Sequence, residues 1–284
     1  MIRPFRSVLY IPAANARAIE KARTLAADAI IFDLEDAVAP DAKADARAAL
    51  PQALAQDYGR RAKIVRINGM DSVWGEDDAR AFASGMAAHA DALLIPKVST
   101  GADLDRVAAL VPDAPLWAML ETPLAMLNAA EIAAHPRLEG MVMGTNDLAK
   151  EIGSRLRPDR LAMLTGIGLC ILAARAHGRL ILDGVYNAFK DDEGLRAESE
   201  QSRDLGFDGK TLIHPAQLAT ANEVFAPTAD EIDLSRRQIE AFEIAQAEGR
   251  GVAVVDGRLV ENLHVDTARA TLAKAEAIAA MAAE

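Results

Sequence analysis

"AIIFDLED", residues 29–36, sets an unbroken apolar run against a burst of acid: Ile30, Ile31 and Phe32 lead into Asp33, Glu35 and Asp36. A strand with one wet face alternates apolar and polar residues. A run without alternation is a strand covered on both faces, as in a parallel sheet. Ionised carboxylates at the end of such a strand need partners, because leaving them unpaired out of water is costly. The stretch therefore predicts a buried parallel strand whose carboxyl end is chemically occupied.

Outward from it, the same kind of run recurs. "SVLYIP" (7–12) precedes it; "KIVRIN" (63–68), "ALLIPK" (92–97), "PLWAML" (115–120), "GMVMGT" (140–145), "RLILDG" (179–184) and "GKTLIH" (209–214) follow. Stretches of helical period lie between them, such as "NARAIEKARTLA" (15–26) and "EDDARAFASGMAAHA" (76–90). Strand-then-helix units repeated eight times in 284 residues predict an α/β fold, a (β/α)8 TIM barrel. A doubly wound open sheet would open on a Gly-rich turn. Here the first turn, "PAANAR" (12–17), has no glycine.

The barrel is expected over residues 1–226. Residues 227–284 read as a C-terminal helix–hairpin–helix extension. A capping box, Thr228 with Glu231, opens its first helix. "VAVVDGRLV" (252–260) turns at Asp256-Gly257, and "VDTARATLAKAEAIAAMAAE" (265–284) reads as a terminal helix. The extension is too short for an independent domain. It is expected to pack on the barrel or across a subunit interface.

Composition narrows the function. Half the chain is apolar (51%) and a quarter charged (26%), as in ordinary globular proteins. A net charge of −11 argues against nucleic acid, which wants a basic face. It leaves room for an anionic small substrate in a local basic pocket. The single cysteine, Cys170 in "GIGLCILAA" (166–174), sits in apolar company and reads as packing. One thiol makes no internal disulfide, which fits a cytoplasmic location. No run is long enough to span a bilayer, and no secretory pattern is recognised, so no membrane partner is expected.

In such a barrel the site lies at the carboxyl ends of the strands. Those ends offer Asp33, Glu35 and Asp36; Arg66 and Asn68; Lys97; Glu121; Asn146 and Asp147; Asp183; Lys210 and His214. Singly, each reads equally well as a salt bridge or a strand-end cap. Together they converge on one rim. Glu121 in "MLETP" (119–123) and Asp147 in "GTNDL" (144–148) follow consecutive strands. Neighbouring carboxylates repel unless they share a proton or a cation. Mg²⁺ suits them, taking one or two carboxylates and completing its octahedron with water and ligand oxygens. Arg66 and Lys97 would face an anion beside it. There is no zinc-spaced His/Cys cluster, no Gly-x-Ser-x-Gly elbow, no P-loop and no dinucleotide fingerprint.

These blocks, in order, resemble a known family. "RSVLYIPAANARAIEKA", "DAIIFDLEDAVAPDAKADAR", "VRINGMDSVWGEDD", "LLIPKV", "ETPLAMLNAAEIA", "GTNDL", "GFDGKTLIHPAQL" and "ANEVFAPTADEID" are similar to those of the citrate lyase β-subunit-like and malyl-CoA lyase family, in the HpcH/HpaI aldolase superfamily. The resemblance spans essentially the whole chain. It implies a TIM barrel, Mg²⁺ (with Mn²⁺ as the alternative), homo-oligomers (trimers or hexamers), and acyl-CoA or acyl-carrier thioester substrates. Carried over, it makes Glu121 and Asp147 the metal ligands. Arg66 becomes the arginine on the substrate's oxygens. Glu35 and Asp36 become the acidic motif that organises metal-bound water, with ion pairs to Arg66 or Lys43 as the plainer reading. Lys97, Asn146 and His214 are expected on the substrate.

Two departures stand out. The family's Pro-Gly first turn is Pro12-Ala13 here, which could alter the backbone because only Gly moves freely into positive φ. The family's Asp on the terminal segment is Glu261, one methylene longer. The main expectation is carbon–carbon cleavage of a malyl-CoA or citramalyl-CoA type thioester to a 2-keto acid and acetyl-CoA, with Glu261 passing the proton. One alternative is hydrolysis of the thioester at the same site. Another is a partner-dependent citrate lyase β subunit.

Overall fold

The computed structural model describes residues 3–282. Its centre is a closed ring of parallel strands: β1 (Ser7–Pro12), β2 (Ala29–Asp33), β3 (Ala62–Arg66), β4 (Ala92–Ile95), β5 (Leu116–Leu120), β6 (Leu138–Met143), β7 (Leu180–Asp183) and β8 (Gly209–Leu212). Each strand pairs with the next, and β1 closes on β8 with Ser7 opposite Lys210. This is the expected TIM barrel. The helices around it are α1 (Ala16–Ala22), α2 (Lys43–Leu54), α3 (Gly75–Ala81), α4 (Gly101–Leu110), α5 (Pro123–Leu127), α6 (Ala129–Ala134), α7 (Thr145–Glu151), α8 (Leu164–Ala176), α9 (Asp192–Leu205) and α10 (Leu218–Val224).

Both faces of each strand are covered, so the runs read as continuous apolar. Parity still decides which side chain enters the ring. Val8, Ile31, Ile64, Leu94, Met119, Val142 and Leu182 form one buried cluster there. Stepping two residues onward from these positions brings Tyr10, Asp33, Arg66 and Glu121 above that layer. The ring's lower part is filled by Trp117, in edge contact with Phe5 at 5.3 Å between ring centroids. A Cβ on Gly140 would land in the Trp117 indole, so only bare backbone fits there.

Contacts divide the chain into a barrel unit, Phe5–Glu223, and a second unit formed chiefly from Val224 onward. In the second, α11 (Ala229–Ala247) starts from the expected capping box, with Thr228 Oγ1 accepting from the Glu231 amide. The hairpin of β9 (Ala253–Val255) and β10 (Arg258–Val260) turns through left-handed Asp256 (φ 48°) and Gly257 (φ 74°), as expected from that dipeptide. Phe242, Ala245, Val255, Val260 and Val265 make its core. The terminal helix, α12, runs Asn262–Ala282; the last two residues of the expected helix lie outside the described residues. Cys170 is buried against Met126 Sδ at 3.5 Å, and burial pushes its thiol up to about 12, which fits packing. Among the described residues no helix is long and apolar enough to cross a membrane.

Candidate active site

A cavity of about 300 Å³ opens at the carboxyl end of the ring. Tyr10, Asp36, Arg66, Glu121, Asp147 and Asn187 are among its walls, and every lining residue belongs to the barrel unit. Parity brings Asp33 and Arg66, paired across β2 and β3, to the same inner face. Arg66 Nε donates to Asp33 Oδ1 at 2.7 Å and Nη2 to Oδ2 at 2.6 Å, a fork-on-carboxylate pair. Its Nη1 lies 2.8 Å from Glu35 Oε2. The guanidinium also sits over the Tyr10 ring, Cζ 4.8 Å from the centroid. The sequence reading turned Arg66 toward substrate oxygens; the residue does line the cavity, with two of its nitrogens bonded to Asp33. Burial alone would favour the neutral form of Arg66, but Asp33 outweighs it and holds the proton more firmly.

Asp33, left without a role by the sequence, is the hub of this corner. Its oxygens also accept from the amides of Glu35 (2.9 Å) and Ala37 (3.1 Å). That curls the chain after β2 and presents both following acids. Glu35 is buried between Arg66 and the Lys97 ammonium, whose Nζ is 3.9 Å from Oε1. Burial pushes the Glu35 carboxyl up to about 8; Arg66 pulls it down, while Asp36 and Glu121 add to the rise. Asp36 stands exposed at the mouth, 3.8 Å from Arg66 Nη1. The expected ion pair between this motif and Lys43 takes a different form. Lys43 Nζ donates to the carbonyls of Leu34 (2.9 Å) and Glu35 (2.7 Å) and to Asn68 Oδ1 (2.6 Å), anchoring the acidic turn by its backbone.

Glu121 follows β5 directly. The next residue, Thr122, caps α5 by accepting from the Ala125 amide at 3.1 Å, which fixes the turn. The Glu121 side chain is buried, and its Oε1 accepts from the Lys97 amide at 2.7 Å. Burial pushes it up to about 7; the Lys97 amide opposes that rise and nearby Asp147 adds to it. Asp147 projects from the first turn of α7 into the same cavity. A Cβ on Gly144 would strike the Glu121 carboxylate, so glycine keeps the space between the two acids open. All-oxygen donors, one of them deeply buried and disfavoured as a bare anion, fit a hard divalent cation. Among the described residues no group of three or more His, Cys, Asp or Glu gathers as a metal cluster. A cation here would draw its other ligands from water and substrate.

The remaining candidates divide. Asn146 lines the cavity at its mouth and exchanges hydrogen bonds with Asn187 at 2.8 and 3.2 Å. Lys97 lies on the rim, half exposed. His214 is not among the cavity's walls: its Nδ1 accepts from the Ala216 amide at 3.1 Å, and its ring stacks on Phe189 at 4.6 Å. Asp183 and Lys210 face away from the cavity, toward α9, where Lys210 Nζ holds Asp183 and Glu198, each at 2.7 Å. Glu261 follows β10 in the second unit, exposed, its amide donating to His264 Nδ1 at 3.0 Å. Ala13 adopts no positive φ, so the departure from Pro-Gly leaves no strain there.

The HpcH/HpaI aldolase/citrate lyase model matches residues 6–215, the span that builds this ring and cavity. The chain belongs to the HpcH/HpaI aldolase/citrate lyase family. A (3S)-malyl-CoA thioesterase of Cereibacter sphaeroides (strain ATCC 17029 / ATH 2.4.9) is 72% identical over 99% of this chain and 98% of that protein. An L-malyl-CoA/beta-methylmalyl-CoA lyase of the same strain is 35% identical over 98% of this chain and 96% of that one. Among solved structures, the protein CitE of Mycobacterium tuberculosis, in complex with magnesium, acetoacetate and coenzyme A, superposes with a TM-score of 0.81. It is 30% identical and covers 97% of this chain and 100% of that one.

Within this family member, sequence reasoning missed Tyr10, Thr145, Asn187 and Thr211 as walls of the cavity and named Asp33 only as a rim acid without a role. Tyr10, Asp33 and Thr211 carried a signal: each continues by twos the inward face of its strand. Asn187, in the loop after β7, carried none.

Proposed function

We propose that the chain hydrolyses a malyl-CoA type thioester, in the manner its (3S)-malyl-CoA thioesterase relative is named for, with Mg²⁺ at Glu121 and Asp147. This replaces carbon–carbon cleavage as the main reading. The observation that carries it is the 72% identity to that relative over 99% of the chain, against 35% for the named lyase.

Glu121 and Asp147 would hold the cation, which supplies Lewis acidity and a positive charge for the carboxylate and hydroxyl oxygens of the malyl group. Asp33 and Arg66 form a wall beside it with Glu35 behind them, and because burial pushes Glu35 up to about 8 it holds its proton near neutral pH, which leaves the Arg66–Asp33 pair balanced. Hydrolysis then needs one proton acceptor. Asp36 at the mouth is the carboxylate proposed to take the proton from water as its oxygen bonds to the thioester carbonyl carbon, with Glu261, which the resemblance puts on a segment reaching the site of an adjacent subunit, as the alternative. The carbon–sulfur bond breaks, and the departing sulfur takes a proton to give free CoA and malate. Lys97 and Asn146 at the rim are proposed to contact the substrate, with His214 steadying the loop beside it. The reading includes a homo-oligomer, as the resemblance implies, and a cytoplasmic setting that suits the lone buried thiol.

The test gives the purified chain malyl-CoA and Mg²⁺ and follows free thiol and glyoxylate in parallel. Thiol with malate and no glyoxylate is expected. Glyoxylate with acetyl-CoA and no thiol would overturn the proposal in favour of the lyase. Neither product, with activity appearing only when a citryl-carrier protein is added, would point to the citrate lyase β subunit.

A further inference from the structure

We infer that Lys97 is a positioning residue whose left-handed backbone, rather than its ammonium, fixes the Glu121 carboxylate so that one oxygen stays free for a divalent cation. The inference deepens the proposed function and rests on Glu121 holding that cation. Lys97 has φ 57°, and among the described residues only Arg160 and Asp256 are other non-glycine residues with positive φ. Asp256 sits in a hairpin turn that demands such a conformation. Lys97 likewise occupies a tight turn, Pro96–Lys97, directly after β4, and a residue with a Cβ pays a steric penalty there.

What the conformation achieves is visible across the ring. β4 ends at Ile95, opposite Ala118 of β5, and the next residue, Pro96, has no N–H. Lys97 therefore carries the first amide beyond β4 that can donate toward the end of β5. That amide reaches Glu121 Oε1 at 2.7 Å. The other oxygen, Oε2, is the one a Cβ on Gly144 would meet, so it points to the start of α7, the helix that carries Asp147. One oxygen is thus spent on the protein, and the other faces the proposed cation. Glu121 is assigned as a ligand through Oε2 alone.

The side chain does something else. The Lys97 ammonium is 59% exposed and lies 3.9 Å from Glu35 Oε1, with no bond to Glu121. The amide bonds Glu121, while the ammonium pairs with Glu35 and reaches Glu121 only through its charge, so substitutions can separate them.

Four uncharged variants of the full chain make the separation: Lys97→Asn and Lys97→Gly, which tolerate the left-handed region, and Lys97→Val and Lys97→Thr, whose β-branches resist it. Mg²⁺ is titrated calorimetrically into each without substrate. All four lose the ammonium equally, so only backbone preference ranks them. We expect Asn and Gly within about twofold of each other and Val and Thr about tenfold weaker, because the β-branched pair depopulates the conformer that holds Glu121. Either β-branched variant suffices if the other fails to melt cooperatively. Equal affinities across the four would overturn the inference and leave the cation site standing. No Mg²⁺ binding by the native chain would overturn the cation site itself.

Discussion

Glu121 shows how far a single side chain was legible. Its neighbours in sequence, an apolar run before it and Thr-Pro after it, mark a strand end, and its pairing with Asp147 followed from strand order alone. What sequence could not supply is the state of its proton. Burial pushes Glu121 up to about 7, well above an ordinary glutamate. The sign follows directly. Below that value the cation-free carboxyl is neutral, so Mg²⁺ must displace a proton to bind. Apparent Mg²⁺ affinity should rise about tenfold per pH unit below 7 and flatten above it. The cation-free fold should behave in the opposite sense. A carboxyl whose proton is held more tightly when folded loses stability as pH rises from its ordinary value toward 7. Calorimetric Mg²⁺ titrations between pH 6 and 8 check the first statement, and a pH-independent affinity would contradict it. Asp183 and Lys210 show the opposite limit. They were read as rim residues, but Lys210 is only the second residue of β8 and both occupy the outward parity, and one residue's shift in parity moves a side chain from the cavity to the helix layer.

Elements were more legible than the loops that join them. The capping box at Thr228, the Asp256-Gly257 turn and all the barrel strands carried local signals, because caps, turns and burial each constrain residue type. The segment between α7 and α8 carried none. Arg160 there is buried with φ 52°, an improbable placement to read from "RPDRL". Its guanidinium donates to both Asp183 oxygens (2.9 and 2.8 Å) and to Gln201 Oε1 at 2.8 Å, tying the segment to β7 and α9. Burial would push Asp183 up, but Lys210 and Arg160 hold it below the usual carboxylate range. Removing one partner of a buried ion pair leaves the other poorly compensated. Arg160→Met should therefore cost about 3 kcal/mol of stability, read as a lowered urea midpoint. A midpoint within error of the native one would show that Lys210 and Ser202 suffice for Asp183.

For the whole molecule, the two units bear differently on the proposed chemistry. Every wall of the cavity belongs to Phe5–Glu223, while Glu261 belongs to the other unit. Cation binding and proton transfer should therefore separate. Glu261→Gln is expected to leave Mg²⁺ affinity unchanged while turnover falls about 100-fold, the usual scale for losing a general base. Unaltered turnover would assign the proton to Asp36 alone. At this scale the sequence revealed barrel, extension and family, but it favoured cleavage over hydrolysis. The reason is physical: both proposed reactions would use the same grip on a malyl group, so the conspicuous residues are those the two would share.

The pairing of Ser7 with Lys210 has a consequence for how the protein comes into being. Closing the ring joins strands from nearly opposite ends of the barrel sequence, a contact with a large loop-closure entropy and among the slowest to form. The cavity draws Tyr10 from the first strand and Thr211 from the last, so its full wall exists only after that closure. During refolding, the recovery of a complete substrate pocket should therefore lag the recovery of helix content. Whatever binds against both strands stabilises the closed ring over every partly assembled one.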